Sequence, residues 1–362
     1  MGQGSLLHTF FPRAMMTKKK PPLRAGKERV YQMFAILGRI LFFAILFLTV
    51  LVVLLFVAYR HRSDPSAVKS YKTTNPRITG RTQVSAHRAG AGILPEETML
   101  ALMTCAGQKE YVVDGFEFDL HITKDDVLVL LHDDELDRTS DSELVFGRKH
   151  VTAREMTYGE LRRLNMAAKF TTDAGEMPYA NLHGDAVPDE LRIVRLEDAL
   201  DALEVAGDFS YIIEMKNGGE DGKHAVDLLY RILSERNLVS KVAFGTFHGE
   251  VSRHVDEVYP DLVRGSYPSE VLEFYLASLF DRKDYHPRFR CLQIPFGIPL
   301  QSYGVNLGTA RFINYAHAHN IAVQYWTVDR EEDMDYLLSL HADCIMTNYP
   351  DRLYKKREAL GL

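Results

Sequence analysis

Cysteine is scarce in this chain. Its three cysteines, Cys105, Cys291 and Cys344, are an odd number, and none lies in a C-x-x-C spacing. That argues against a disulfide framework and against a structural zinc site. Buried apolar thiols are the plain expectation, because free cysteine is among the most buried residue types. The sequence also lacks an internal repeat and a low-complexity tract. Beyond residue 62 it lacks any basic surplus. Residues 1–62 hold ten Lys/Arg and one Glu, while the whole 362-residue chain has a net charge of −6, so the remainder carries −15. An acidic remainder argues against nucleic acid as a substrate.

One long apolar run is present: Ile40–Tyr59, ILFFAILFLTVLVVLLFVAY, with Thr49 its most polar interior residue. About 20 apolar residues are what a bilayer core requires of a helix. The run has no polar face to suit a soluble core helix, and it lacks the short core and small-residue cleavage site of a signal peptide. Basic residues crowd its N-terminal flank (Lys18, Lys19, Lys20, Arg24, Lys27, Arg29, Arg39). That bias predicts a cytoplasmic N-terminus and a large domain on the other side. Residues 1–39 then read as a basic tail, flexible over 1–30, 40–59 as a transmembrane helix and 60–81 as a polar linker with Pro65 and Pro76.

From Thr82 short apolar runs alternate with helical stretches. The strand candidates are Val84–Ala86, Phe116–Leu120, Tyr211–Met215, Val242–Phe247, Leu262–Gly265, Cys291–Ile294, Ala322–Trp326 and Cys344–Met346. Helical patterns fall between most of them, as at Glu97–Gln108, Leu196–Val205, His224–Arg236 and Thr309–Ala318. Eight strands separated in this way predict a (β/α)8 TIM barrel over residues 82–362. A long insertion, about 121–190, follows the second strand.

The stretch Gly115–Thr139, GFEFDLHITKDDVLVLLHDDELDRT, sets the organisation. Glu117 and Asp119 share one face of a strand. The connection through Thr123–Asp126 is too short for a parallel crossover, so Val127–Leu131 should return antiparallel. A turn centred on Lys124-Asp125 sets Asp119 opposite Leu130 and Glu117 opposite His132. Opposed Cβ atoms lie roughly 5 Å apart. The hairpin thus outlines a metal site with a proton-transfer group beside it. A surface hairpin with solvated acids is the plainer alternative.

Polar residues collect at the C-terminal ends of the strand candidates, where barrel active sites lie. His87-Arg88 ends the first, Glu117 and Asp119 lie along the second, Glu214 and Lys216 end the third, and His248 follows the fourth. Trp326-Thr327 ends the seventh and Thr347-Asn348 the eighth. Three carboxylates without a cysteine cluster suit a hard cation, Mg²⁺ or Ca²⁺, which would polarise a phosphoryl oxygen. Arg88 can grip phosphate oxygens bidentately and Lys216 adds a point charge. Histidines supply a general base and a general acid near neutral pH. Singly, each residue has an ordinary structural explanation. Their joint placement points to phosphodiester hydrolysis.

These residues resemble a known family. SAHRAGAGILPEET resembles the His-Arg-Gly … Pro-Glu-Asn-Thr opening of the glycerophosphodiester phosphodiesterases. FEFDLHITKDDVLVLLHDDELDRT is similar to their Glu-x-Asp, Lys-Asp-Gly and His-Asp-x-x-Leu-x-Arg-Thr block, and YIIEMK to their Glu-x-Lys strand. QYWTVD and CIMTNYPDRL look like their Trp-Thr-Val and Thr-Asp-x-Pro ending. The resemblance runs in order from Ser85 to Leu353. It implies a (β/α)8 barrel with an insertion after the second strand, and metal-dependent hydrolysis of glycerophosphodiesters to an alcohol and glycerol 3-phosphate. It implies His87 and His132 as the acid/base pair, with His132 as a metal ligand the other choice. Glu117, Asp119 and Glu214 would hold the cation, Arg88, Lys216 and Trp326 would bind substrate, and Glu96 would support the site. Four positions depart from the pattern: Ala89, Glu97 in place of Asn, Asp126 in place of the hairpin Gly, and Asn348 in place of Asp.

The expectation is a membrane-anchored enzyme acting on a soluble glycerophosphodiester. The alternative substrate is a membrane lysophospholipid, its acyl chain met by Phe146, Tyr158, Phe170 and Tyr179 of the insertion unless these pack it against the barrel. A catalytically silent, membrane-tethered lipid-binding protein is the rival from another class. All five proposed acid/base and metal residues are present, which weighs against it.

Overall fold

The computed structural model describes residues 23–60, 62–297 and 305–362. It divides into residues 1–57 and 58–362. In the first unit, helix α1 (Leu23–Arg60) contains the 25-residue stretch Val30–Leu54, long and apolar enough to cross a membrane. The helix starts well before Ile40, inside the segment expected to be a flexible tail. Lys27, Glu28, Arg29, Gln32 and Met33 are good helix formers, and prolines stand just before its first residue, where they are tolerated. The rest of that tail, 1–22, lies outside the described residues.

The second unit begins with a segment that is not a free linker. Asn75 is buried, and its amide donates to the carbonyls of Arg290 (2.8 Å) and Asn320 (3.0 Å). Arg77 is also buried and donates to the Ser240 carbonyl at 2.9 Å. The Lys69 amide donates to Asn314 Oδ1 at 2.7 Å. The polar composition that suggested solvent serves instead to satisfy backbone carbonyls at the base of the domain.

That domain is a parallel barrel. Its strands are β1 (Gln83–His87), β2 (Gly115–Ile122), β3 (Leu128–Leu130), β4 (Ser210–Met215), β5 (Val242–Gly245), β6 (Cys291–Pro295), β7 (Ala322–Trp326) and β8 (Cys344–Thr347). Around the barrel the order is β5-β4-β2-β1-β8-β7-β6, all parallel. Arg264 and Gly265 close the ring, bridging Phe244 on one side and Cys291 on the other. This is the expected (β/α)8 ring. Its fifth stave, anticipated as Leu262–Gly265, is reduced to those bridges.

The helices are α2 (Met99–Ala106), α3 (Ser142–Phe146), α4 (Tyr158–Leu161), α5 (Leu196–Ala206), α6 (Gly219–Glu235), α7 (Gly249–Val258), α8 (Pro268–Leu279), α9 (Ala310–Ala318), α10 (Glu331–Ser339) and α11 (Pro350–Ala359). Threonine caps begin some of them: Thr98 Oγ1 accepts from Ala101 N–H and Thr309 Oγ1 from Phe312 N–H, each at 3.2 Å. Period-two alternation sorts β2. Phe116, Phe118 and Leu120 join the core beneath the helices, which sends Glu117, Asp119 and His121 to the barrel interior. Lower in that interior pack Ile212, Ala243, Cys291, Ala322, Cys344 and Met346. All three cysteines are free and buried, as expected.

The hairpin forms, but one residue out of the expected register. Leu120 pairs with Leu130 and His121 with Val129, so Asp119 is not opposite Leu130, nor Glu117 opposite His132. The turn is longer than expected: Thr123 N–H donates to the Val127 carbonyl at 2.9 Å, enclosing three residues. Asp126 adopts φ 60° and takes the left-handed place that glycine usually fills. A one-residue slip exchanges faces. Beyond β3 the insertion builds a small core of its own from Val129, Leu131, Leu136, Val151, Leu161, Leu164 and Ile193.

Candidate active site

The C-terminal ends of β1, β2 and β4 bring most of the anticipated residues together. His87 closes β1 and is buried. The chain then turns left-handed at Arg88 (φ 47°) and Ala89 (φ 62°), and the Arg88 N–H donates to Glu117 Oε2 at 2.9 Å. The Arg88 guanidinium faces Asp119 Oδ2 (3.5 Å) and Glu96 Oε1 (3.4 Å). Lys216 Nζ lies between Asp119 Oδ1 (2.9 Å) and Glu214 Oε1 (2.6 Å). In this state Lys216 therefore engages carboxylates.

The electrostatics are those of crowded acids. Burial and the neighbouring Asp119 push Glu117 up to about 8, and the same two causes push Glu214 up to about 7. Burial would raise Asp119 too, but Lys216, His132 and Arg88 outweigh it and hold it low. Glu97, a departure from the family pattern, is buried at φ 56° and accepts from Asp119 N–H at 2.6 Å. Burial and Asp119 push its carboxyl well above the usual range. It fixes the β2 backbone beside Asp119, a role that its place in the sequence did not announce.

His87 is held at both ring nitrogens. Nδ1 lies 2.7 Å from Asn348 Oδ1, and the Asn348 amide donates to Asp329 Oδ2 at 2.7 Å. With the amide nitrogen committed to Asp329, the Asn348 oxygen accepts, so Nδ1 carries the proton and Nε2 the lone pair. Nε2 lies 3.3 Å from Thr327 Oγ1 and 3.8 Å from Glu117 Oε2. Burial, then the charge of Arg88, holds this imidazole below its usual value. The sequence marks Asn348 as a polar residue ending the eighth strand and as a departure from the family pattern, and it does not announce the role of Asp329.

His132 reaches the site from the insertion. Its Nδ1 is 2.6 Å from Asp133 Oδ1, and Asp133 is in turn gripped by Arg138, which also pairs with both oxygens of Glu96 at 2.6 and 2.9 Å. His132, Glu214, Lys216, Phe247 and His248 line a cleft of about 360 Å³. His248 Nε2 lies 2.9 Å from the Lys216 carbonyl, a structural contact. Trp326 lies edge-on to Phe247, at 6.1 Å between centroids.

The donor set suits a cation. Glu96, Glu97, Glu117, Asp119 and Glu214 outnumber the fixed cations facing them, Arg88, Arg138 and Lys216, and Asp119 Oδ2 is buried without a hydrogen-bond partner. The three barrel carboxylates do not converge within 4.8 Å. Among the described residues, the acid–histidine group that does is Glu135, Asp137 and His150, exposed on the insertion and held by its own hydrogen bonds.

A parallel barrel with buried acids, two oriented histidines, an arginine and a lysine at its C-terminal mouth defines a barrel hydrolase suited to phosphate esters. Residues 87–352 match the glycerophosphoryl diester phosphodiesterase family, and the chain belongs to it. The glycerophosphodiester phosphodiesterase of Bacillus altitudinis is 26% identical over 287 residues, 77% of this chain and 99% of that protein. The one from Caldanaerobacter subterraneus is 26% identical over 277 residues, 75% of this chain and 96% of its own length. An Oleispira antarctica phosphodiesterase solved with sn-glycerol-3-phosphate shares the fold at a TM-score of 0.53 and 19% identity, covering 78% of this chain and 99% of that one.

Proposed function

We propose that the chain hydrolyses glycerophosphodiesters to an alcohol and glycerol 3-phosphate, with Glu117, Asp119 and Glu214 holding one divalent cation, Mg²⁺ or Ca²⁺. The observation that carries this reading is the surplus of buried carboxylates around Asp119, one of whose oxygens has no hydrogen-bond partner. When bound, the cation would polarise a phosphoryl oxygen and offset developing negative charge. Arg88 and Lys216 would hold the remaining phosphate oxygens, Lys216 exchanging a carboxylate for phosphate.

His87, neutral and with its Nε2 lone pair free of Asn348, is suited to take the proton from an attacking water. As the water oxygen bonds to phosphorus, the bond from phosphorus to the alcohol oxygen breaks. His132, oriented through Nδ1 by Asp133, would protonate that leaving oxygen. The carboxylate of Asp133 stabilises the imidazolium this requires. By the same reading α1 anchors the chain, its N-terminus cytoplasmic and the barrel on the far side of the bilayer.

The test is turnover of glycerophosphocholine by the full-length protein. EDTA should abolish it and Mg²⁺ or Ca²⁺ should restore it, while Glu117→Gln and Asp119→Asn should each raise the metal concentration needed. Full turnover in chelator would show that the carboxylates serve another purpose.

A further inference from the structure

A second cavity of about 600 Å³ opens beside the polar cleft, and Glu214 and Phe247 line both. Its wall is largely apolar, with Val271 and Leu272 of α8, Tyr275, Val305, Leu307 and Trp326 contributing. Its volume falls within the roughly 300–1,000 Å³ that encloses a single small ligand. A deacylated glycerophosphodiester has nothing apolar to put there.

The outer face of α8 continues the cavity. Leu272, Leu276 and Leu279, with Phe280 just past the helix end, are spaced as one helical stripe and are 59%, 46%, 41% and 77% exposed. Four large apolar side chains in a row, left in solvent, mark a surface that meets something apolar. Leu272 belongs to both stripe and cavity. The same chain carries a helix long and apolar enough to cross a membrane.

The aromatics of the insertion do not serve this purpose. Phe146 and Tyr158 pack against the insertion's own core, Tyr179 against Ala167, Val187 and Leu191, and Phe170 lies beside Tyr179 at 6.3 Å between ring centroids.

We propose that this cavity binds the hydrocarbon chain of a single-chain phosphodiester amphiphile, a lysolipid that reaches it along the α8 stripe from a lipid surface. The inference rests on the phosphodiesterase reading for the reaction but not for the binding. With phosphate in the polar cleft, a chain esterified to the glycerol crosses the boundary that Glu214 and Phe247 share. Trp326, the one tryptophan of the sequence, would lie against it.

That single tryptophan makes the test direct. Full-length protein in nanodiscs is titrated with lysophosphatidylcholines bearing a nitroxide on an 8-, 12- or 16-carbon chain, and tryptophan fluorescence is read. Quenching should require less probe as the chain lengthens, roughly two- to fourfold less per methylene until the cavity fills. Leu272→Asp, at an exposed position that tolerates charge, should weaken quenching at least tenfold. It should also lower the ratio of kcat/KM for lysophosphatidylcholine over glycerophosphocholine by a similar factor. Quenching that ignores chain length, or that Leu272→Asp leaves unchanged, overturns the proposal. Chain-dependent quenching without cleavage of either phosphodiester upholds the chain site and removes the reaction reading instead.

Discussion

Asn348 shows how one residue can set the chemistry of another. An aspartate in its place would accept from His87 as well, but it would bring a charge; asparagine accepts only because Asp329 takes its amide. Asn348→Leu should therefore cost on the order of 10–100-fold in kcat, with KM little changed and the fold intact by circular dichroism, whereas Asn348→Asp should keep most of the rate. A rate unchanged in Asn348→Leu would free His87 from this control. His87→Ala and His132→Ala should each lose about 10²–10⁴-fold in kcat, and the double variant far less than the product of the two. An aryl phosphodiester, whose leaving group needs little protonation, should rescue His132→Ala and not His87→Ala. Equal impairment on both substrates would make His132 a metal ligand instead. At this scale the sequence was informative about side chains at strand ends, because period two and the barrel rule place them without further knowledge. It was silent on Asp329, which lies in a loop, and it marked Glu97 only as a departure from the family pattern, without the left-handed backbone and the hydrogen bond from Asp119 N–H.

Among the elements, the insertion matters most, because it delivers His132. Burial alone would raise Glu96, but hydrogen bonds from Arg138 and the charge of Arg88 outweigh it and hold the carboxyl low. Asp133 is held low chiefly by its hydrogen bond from His132 and, against some burial, by Arg138. Both are acids with depressed folded-state values. Their stabilisation is present above the ordinary carboxylate range near pH 4 and is lost as pH falls through the lower folded values. Arg138→Met should thus melt a few degrees below the parent at pH 7, a gap that narrows in acid below about pH 4. A gap that is constant with pH would mean the loss is packing alone. The hairpin itself was legible, but its register was not. Register depends on turn length, and although Asp126 visibly stands where the family has glycine, nothing in the sequence said that the turn would hold three residues.

For the whole molecule, the barrel and its order could be read because eight apolar runs recur between helical patterns. The segment 62–81 misled because polar residues that clip a domain together look the same in sequence as polar residues in water. The apolar cavity was illegible, since it is assembled from the ends of β4, β5, β6 and β7, from α8 and from Val305 and Leu307, which are far apart in the sequence. For orientation in the membrane, protease added to intact cells or spheroplasts should digest the barrel, and a barrel cut only after permeabilisation would reverse the topology. The ring of strands has one thin place. Between β5 and β6 it is joined by the short segment Val263–Ser266, whose backbone bonds to Phe244 and Cys291, while the buried Arg264 guanidinium is clamped by Asp256 (2.7 Å) on α7 and Glu270 (2.8 Å) on α8. The backbone ladder at this seam is short, and side-chain clamping supplements it. The sector bearing α7 and α8 is thus tied to the ring by a short backbone ladder and by the ion pairs of one arginine. Amide hydrogen exchange should register this, with Gly265 and Ser266 exchanging well before Phe118 and Leu120, and Arg264→Met widening the difference.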